Sequence, residues 1–329
     1  MIRCSILFLL FFNLVGSVCH ANHEKGQTAV ILPLNEWTSQ RVLTKMLGNL
    51  IEQMKIPVHY QELHSKDQWG ALRIGVVHLQ IEVWGDSTRQ IFQSMVNNNH
   101  IIDMGLHTAT IREEWWYPEY VEKLCPGLPD WQALNRCASL FAHQNPAITL
   151  SNGTKTKLKG VYYNGPWEYN DAGLIRALKL DFTIERVANS DILWQKLKQA
   201  SRILKPIVLI NWTPNWVDAR MKGKFVEFPA YSPECESNPE WGINPSLIMD
   251  CGNPKGFWLK KAAWPGLQKR WPCVYQLLKA VTLDNAMISE AAALVVNDGY
   301  SEEQAGAIWL QKYQRAARQW MQSACQPQQ

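Results

Sequence analysis

Short apolar runs of β type stop at a tryptophan three times along this chain, and each stop is followed by a helical stripe or a stiff turn. Residues 29–32 lead to Trp37, residues 76–83 to Trp84, and residues 206–210 to Trp212. β-type runs alternating with helical patterns mark an α/β fold. Ligands in open α/β sheets bind outside the carboxyl ends of the strands, so these three rings stand where a ligand would sit. A fourth candidate, Trp167, lies in Gly165-Pro166-Trp167-Glu168-Tyr169, after a β run at 160–163 and before a helix expected over 172–180; Tyr169 is the rival ring there. The chain holds 16 tryptophans. Buried aromatics dominate core packing, so most of the others are expected in the core.

The helix after the first run is expected over 38–54. Val42, Leu43, Met46, Leu47, Leu50 and Ile51 fall on one stripe, and Thr38 or Ser39 is the expected N-cap. A second strand is expected at 58–60, a short helix at 67–74, and a helix starting near Ser87. The last third reads as helices over 271–281, 284–297 and 301–322. Ser301 and Gln304 have the spacing of a capping box. Trp309, Tyr313, Ala316 and Trp320 share one helical face, which reads as packing. No internal repeat is visible.

The chain opens with Arg3, then an apolar stretch from Ile6 to Val18, then a small residue at Ala21. That is the pattern of a secretory signal over 1–21, cleaved after Ala21. The segment before Cys19 fits a lipid-attachment box poorly. About 308 residues remain, which suggests two lobes rather than one core. No later segment reaches ~18 consecutive apolar residues, so a soluble periplasmic protein is expected. Of eight cysteines, Cys4 and Cys19 lie in the signal. Six remain, an even number for an oxidising compartment. Spacing suggests local bridges Cys125–Cys137 and Cys235–Cys251, with Cys273 and Cys325 left as a longer pair; connectivity stays open at this level. Zinc is the competing reading, but there is no CxxC and the eight histidines are scattered, so no metal or cofactor is expected. The net charge is +4. Lys155, Lys157 and Lys159 form one of the denser basic patches and read as solvated surface, so nucleic acid is not an expected partner.

These segments together resemble the extracytoplasmic substrate-binding proteins of glycine betaine, choline and proline betaine ABC importers. The run from Lys205 to Trp216 is similar to that family's strand followed by Trp-x-Pro-x-Trp. The run from Gly75 to Trp84 is similar to its strand ending in a ligand-box tryptophan. The run from Glu114 to Val121 is similar to its aromatic-Pro-Tyr-Val segment, and the segments around Cys125 and Cys251 resemble a disulfide-bearing branch. The resemblance covers nearly the whole mature chain. It implies a type II periplasmic-binding-protein fold, α/β, with two lobes, a hinge and an interlobe ligand cleft. Lobe one would be 22–110 plus 228–329 and lobe two 111–227. It also implies a monomer that binds a small quaternary amine and works with membrane permease and ATPase subunits, and that has no enzymatic activity.

A quaternary ammonium has no N–H to donate, so aromatic faces must replace water around its methyl groups, at ~1–2 kcal/mol per desolvated contact. The resemblance places Trp84, Trp212 and Trp167 (or Tyr169) in such a box, with Trp37 matching a box tryptophan of the choline branch. Glycine betaine, an osmoprotectant, is the first expected ligand and choline or carnitine the alternative. A betaine carboxylate would need free amides near Glu168 to Asp171 at a helix start. Glu168 is acidic where a small residue would suit an anion. Asn215 stands where another branch has a histidine, and it can donate. Glu36, Glu82 and Asp86 neighbour the candidate rings; any of them facing the pocket would favour a net cation. Trp115 and Trp116 read as hinge packing and Trp131 as structural. A Trp-platform glycosidase needs two facing carboxylates. The adjacent pairs Glu113–Glu114 and Glu302–Glu303 diverge instead. A receptor-coupled sensor would share the fold and the box.

Overall fold

The structure is a computed structural model that describes residues 28–143, 158–167 and 169–324. The expected signal segment, Cys325, Glu168, Lys155 and Lys157 lie outside the described residues. The order is β1 (Val30–Leu34), α1 (Thr38–Gln53), β2 (Val58–Glu62), α2 (Gln68–Ile74), β3 (Leu79–Trp84), α3 (Gly85–Asn97) and β4 (Ile102–Pro118). Then come α4 (Trp131–Arg136), β5 (Gly160–Asn164), α5 (Asp171–Ala177), β6 (Phe182–Arg186), α6 (Ser190–Arg202), β7 (Val208–Thr213), α7 (Trp216–Arg220) and β8 (Gly223–Phe225). The chain continues through β9 (Phe257–Ala263), α8 (Leu267–Arg270), α9 (Pro272–Ala280), α10 (Asn285–Val296), α11 (Glu302–Lys312) and α12 (Gln314–Ala324).

One long strand organises the sheet. The hydrogen-bonded order is β3-β9-β4-β7-β5-β6, with β8 also on β4, and β1 and β2 form a separate parallel pair. The first part of β4 runs antiparallel to β9, ending with Ile111 opposite Phe257. The next residue, Arg112, lies opposite Thr213 of β7. A strand of 17 residues is long enough to serve two sets of neighbours in turn.

Where expectation and structure differ, tertiary contacts explain the shift. The N-cap of α1 is Trp37, in extended backbone and without a side-chain cap. Thr38 and Ser39 are instead the first helical residues. Their hydroxyls are taken by other elements: Ser39 donates to Glu82 at 3.1 Å, and Thr38 lies 3.3 Å from the Ser190 hydroxyl. The helix after Trp84 starts at Gly85, two residues earlier than expected, where a Cβ would meet the Trp258 ring at 2.5 Å. The third strand starts at Leu79 rather than 76, and the helix expected over 172–180 ends at Ala177 before the unforeseen strand β6. The helix expected over 301–322 is two helices that break at Tyr313, because α11 packs on α1 and α12 on α9. The capping box of Ser301 and Gln304 is present. Trp309 and Trp320 are both buried, 6.3 Å apart and near-parallel. Cys125 is bonded to Cys137 and Cys235 to Cys251, with Cα separations of 5.9 and 6.2 Å.

Trp115, on β4, is the centre of the core next to the site. It is fully buried and stacks on Tyr162 of β5 at 3.8 Å, with Phe182 and Phe228 edge-on. Its indole N–H donates to Asp171 at 2.7 Å. Deleting a ring so enclosed leaves a cavity and takes one of the donors from the buried Asp171. Trp115→Ala is expected to lower the unfolding free energy by about 3–5 kcal/mol, read as a lower urea midpoint; an unchanged midpoint would contradict this packing role.

Candidate functional site

A cavity of about 460 Å³ opens at the carboxyl ends of the strands, lined among others by Trp37, Trp69, Glu82, Trp84, Asp86, Glu113, Trp167, Tyr169 and Trp212. Four of its rings come from strand ends, as the sequence pattern implies. Trp37 follows β1, Trp84 closes β3, Trp167 follows β5 and Trp212 is the fifth residue of β7. All four are largely buried. Gly165 allows Trp167 to fold back over the backbone, since a Cβ there would meet the Trp167 ring at 2.2 Å. Arg186 at the end of β6 holds the Trp167 carbonyl at 2.6 Å.

The rings of the β7 side are packed several deep. Trp212 meets Trp167 edge-on at 5.0 Å and Trp194 at 5.0 Å, and Trp194 meets Trp216 edge-on at 5.6 Å. Trp194 and Trp216 therefore back the wall rather than line it. On the other side, Trp37 and Trp84 both donate their indole N–H to one oxygen of Glu82, at 2.6 and 3.0 Å. Polar contacts also join the corner after β1 to α6: the Ser190 amide donates to the Glu36 carbonyl at 3.0 Å. Lys198 of α6 donates to the carbonyl of Val296 at the end of α10, at 2.9 Å.

Four carboxyls line the cavity: Glu82, Asp86, Glu113 and Glu236, the last of them paired with Arg89. Glu113 and Trp212 are direct cross-strand partners, and such partners lie on the same face of the sheet. Alternation along β4 sends the next residue, Glu114, the other way, where it accepts the Asn253 amide at 2.8 Å. Glu113 accepts the Ser87 amide at 3.2 Å and the Tyr169 hydroxyl. Asp86 has one oxygen without a hydrogen-bond partner among the described residues, as does Glu82. Burial pushes the Glu82 carboxyl up to about 7, against the opposing effect of its Trp37, Trp84 and Ser39 donors. Burial also raises Asp86 and Glu113, and Asp86 is raised further by the charges of Glu113 and Glu114. Clusters of raised acids in a cleft are a mark of function. Among the described residues, no group of three His, Cys, Asp or Glu side chains is arranged to hold a metal.

Several expected contributors sit elsewhere. Asn215 does not line the cavity; it caps α7 in a capping box with Asp218, and its side-chain oxygen accepts the Trp216 amide at 2.6 Å. Glu36 is also outside it, accepting from His64 at 2.9 Å and from the Ser65 amide at 3.0 Å. The start of α5, where amides were expected to hold a carboxylate, carries the buried Asp171 carboxyl. Burial raises that group to about 6. Trp69 and Glu113 were not expected in the site. Trp69 sits inside α2 with no strand end to flag it, whereas Glu113 follows from the period of two along β4. Of the pocket cations, Arg89 is engaged by Tyr231 at 2.6 Å and by Glu236 at 2.5 Å, and Lys66 is exposed.

Residues 28–312 match the family described as the substrate-binding domain of an ABC-type glycine betaine transport system. The chain is 30% identical over 315 residues to a trimethylamine N-oxide-binding protein of Pelagibacter ubique (strain HTCC1062), covering 93% of this chain and 95% of that protein. Its fold is similar to an ABC-transporter choline-binding protein in complex with choline, with a TM-score of 0.66 at 14% identity over 90% of this chain and 92% of that one. It is likewise similar to lactococcal OpuAC complexed with glycine betaine, with a TM-score of 0.61 at 15% identity over 89% of this chain and 99% of that one. The architecture is therefore a two-lobe periplasmic binding protein with a hinge and a cleft, and the chain belongs to the family of substrate-binding domains of ABC-type glycine betaine transport systems.

Proposed function

We propose that this protein captures a small methylated ammonium compound lacking a carboxylate, of the choline type, and presents it to the permease and ATPase subunits of an ABC importer. Lobe one is 22–110 plus 228–329 and lobe two 111–227; the change of partner on β4 between Ile111 and Arg112 supports that division. The protein acts as a monomer in the periplasm after loss of residues 1–21. One wall of the pocket comes from each lobe, so binding and closure are one event, and the ligand stabilises the closed state by its differential affinity.

The observation that carries this reading is the pairing of tryptophan faces with buried acids. Trp37, Trp84, Trp167 and Trp212 line a cavity that also holds Glu82, Asp86 and Glu113. Indole faces attract a quaternary ammonium, and the carboxyls repel a ligand carboxylate. Glycine betaine, the first expectation from sequence, carries the group that these acids oppose. Trimethylamine N-oxide is a second reading. It is favoured by the Pelagibacter relative and by the raised acids, which when protonated donate a hydrogen bond to an N-oxide oxygen.

Purified protein titrated with choline, carnitine, glycine betaine, proline betaine and trimethylamine N-oxide, followed by tryptophan fluorescence, is expected to prefer choline over glycine betaine by about tenfold or more, a difference of ~1.4 kcal/mol. No response to any of them would sink the function, and tighter binding of glycine betaine would sink the ligand class. Trp212→Ala is expected to weaken binding by at least the ~1–2 kcal/mol of one desolvated cation–π contact, measured beside the melting temperature.

The pH dependence separates the two readings. A bound cation favours the ionised form of a nearby carboxyl. Glu82 holds its proton up to about pH 7 in the free protein, so below that pH a cation must displace a proton. Choline affinity is therefore expected to rise from pH 6 to 8 as Glu82 ionises, and to go on rising above that as the more strongly raised Asp86 loses its proton. An N-oxide that accepts from a protonated acid would show the opposite slope. Calorimetric titrations across this range read the sign directly.

A further inference from the structure

The two rings of the β1 and β3 side differ from those opposite in how they are held. Trp37 is the N-cap of α1 and Trp84 the N-cap of α3, and neither has a side-chain cap to fix it. Their indole N–H groups converge on the same Oε2 of Glu82, at 2.6 and 3.0 Å, and the Ser39 hydroxyl reaches that oxygen at 3.1 Å. Glu82 is 1% exposed and lines the cavity, with Oε1 unpartnered among the described residues. Its backbone N–H is held by the Gln80 side chain at 3.1 Å, which binds Asn35 and Gln68 in turn. Trp167 has no such tether: its Nε1 finds no partner among the described residues.

We infer that Glu82 is a positioning residue for ligand recognition, fastening Trp37 and Trp84 through one shared acceptor oxygen so that their faces meet the ligand at a fixed angle. Hydrogen bonds from N–H to a carboxylate are short and directional, and each is made at the ring edge. An N–H bond at the edge leaves the π face free for a cation. One oxygen serving two rings from two elements makes their orientations interdependent. Loss of the acceptor would strand two buried N–H groups, whose cost the rings relieve by turning away. This rests on the functional reading above, since it concerns how the pocket meets a methylated amine.

The test uses Glu82→Met, close in size but without an acceptor oxygen, and Glu82→Gln, which keeps one. Choline and trimethylamine N-oxide are the probes, and near-ultraviolet circular dichroism of the ligand-free protein reads the indoles. Glu82→Met is expected to weaken binding by about tenfold or more and to alter the indole bands, while Glu82→Gln, compared at pH 6 where the wild-type carboxyl also holds its proton, recovers most of the affinity. In a Trp37→Phe, Trp84→Phe background, which has no N–H to hold, replacing Glu82 by Met is expected to cost clearly less than in the wild-type background, the remainder being the direct effect of its charge on the ligand; such non-additivity is the signature of acting through those rings. Equal costs in both backgrounds, or Glu82→Met with wild-type affinity and spectrum, overturn the inference while leaving the function standing. Should Glu82→Met fail to fold, Glu82→Gln binding no better than a Trp37→Phe, Trp84→Phe protein overturns it as well. A wild-type protein that binds neither probe overturns the functional reading, and this inference with it.

Discussion

Hydrogen bonding along β4 ties both halves of the sheet to one backbone, and the site inherits its geometry from that strand. Its early residues register with β9 and its later ones with β7 and β8. The pairing of Glu113 with Trp212 sets an acid beside a ring, and the alternation of side chains sends Glu114 to Asn253 and Trp115 into the core. A one-residue slip of β7 against β4 would turn Trp212 away from the cavity. The stack of Trp115 on Tyr162 and its bond to Asp171 tie the strand to β5 and to the start of α5.

Electrostatics supply the second constraint. Moving an unpaired carboxylate out of water is costly, so a buried acid either finds donors or keeps its proton. Glu82 and Glu113 do some of each: both have donors, and both are raised. Acids held in this way respond strongly to any charge placed beside them, since a nearby cation favours their ionised form. The aromatic wall beside them keeps the local surroundings apolar, where charge–charge interactions are stronger than in water.

The sequence made the walls legible and the supports largely not. Trp37, Trp84, Trp167 and Trp212 were readable because a strand end is a local event: an apolar run stops and a turn or helix begins. Tyr169 was readable as the neighbour of Trp167. Glu113 was not, because its role depends on which face of β4 turns inward and which residue of β7 lies opposite. The resemblance points Asn215 toward the ligand, but Asn215 and Asp218 also have the spacing of a cap, and in the structure the start of α7 takes that side chain. The break at Tyr313 was hidden for a different reason. The stripe through Trp309 and Trp320 is continuous in sequence, and only their different packing partners, α1 and α9, require two helices.

The contacts between α6 and its neighbours bear on how long a ligand stays. Among the described residues, its polar bonds to the corner after β1 and to α10 are the Ser190 amide on the Glu36 carbonyl, the Thr38 hydroxyl beside Ser190 and Asp191, and Lys198 on Val296. Each such bond is worth roughly 0.5–1.5 kcal/mol net, a modest barrier to separating these surfaces. For the proposed ligand, residence would then depend on the grip of the rings more than on these bonds. A carrier of the proposed kind would gain from such bonds, because each is cheap to break when the cargo is handed on.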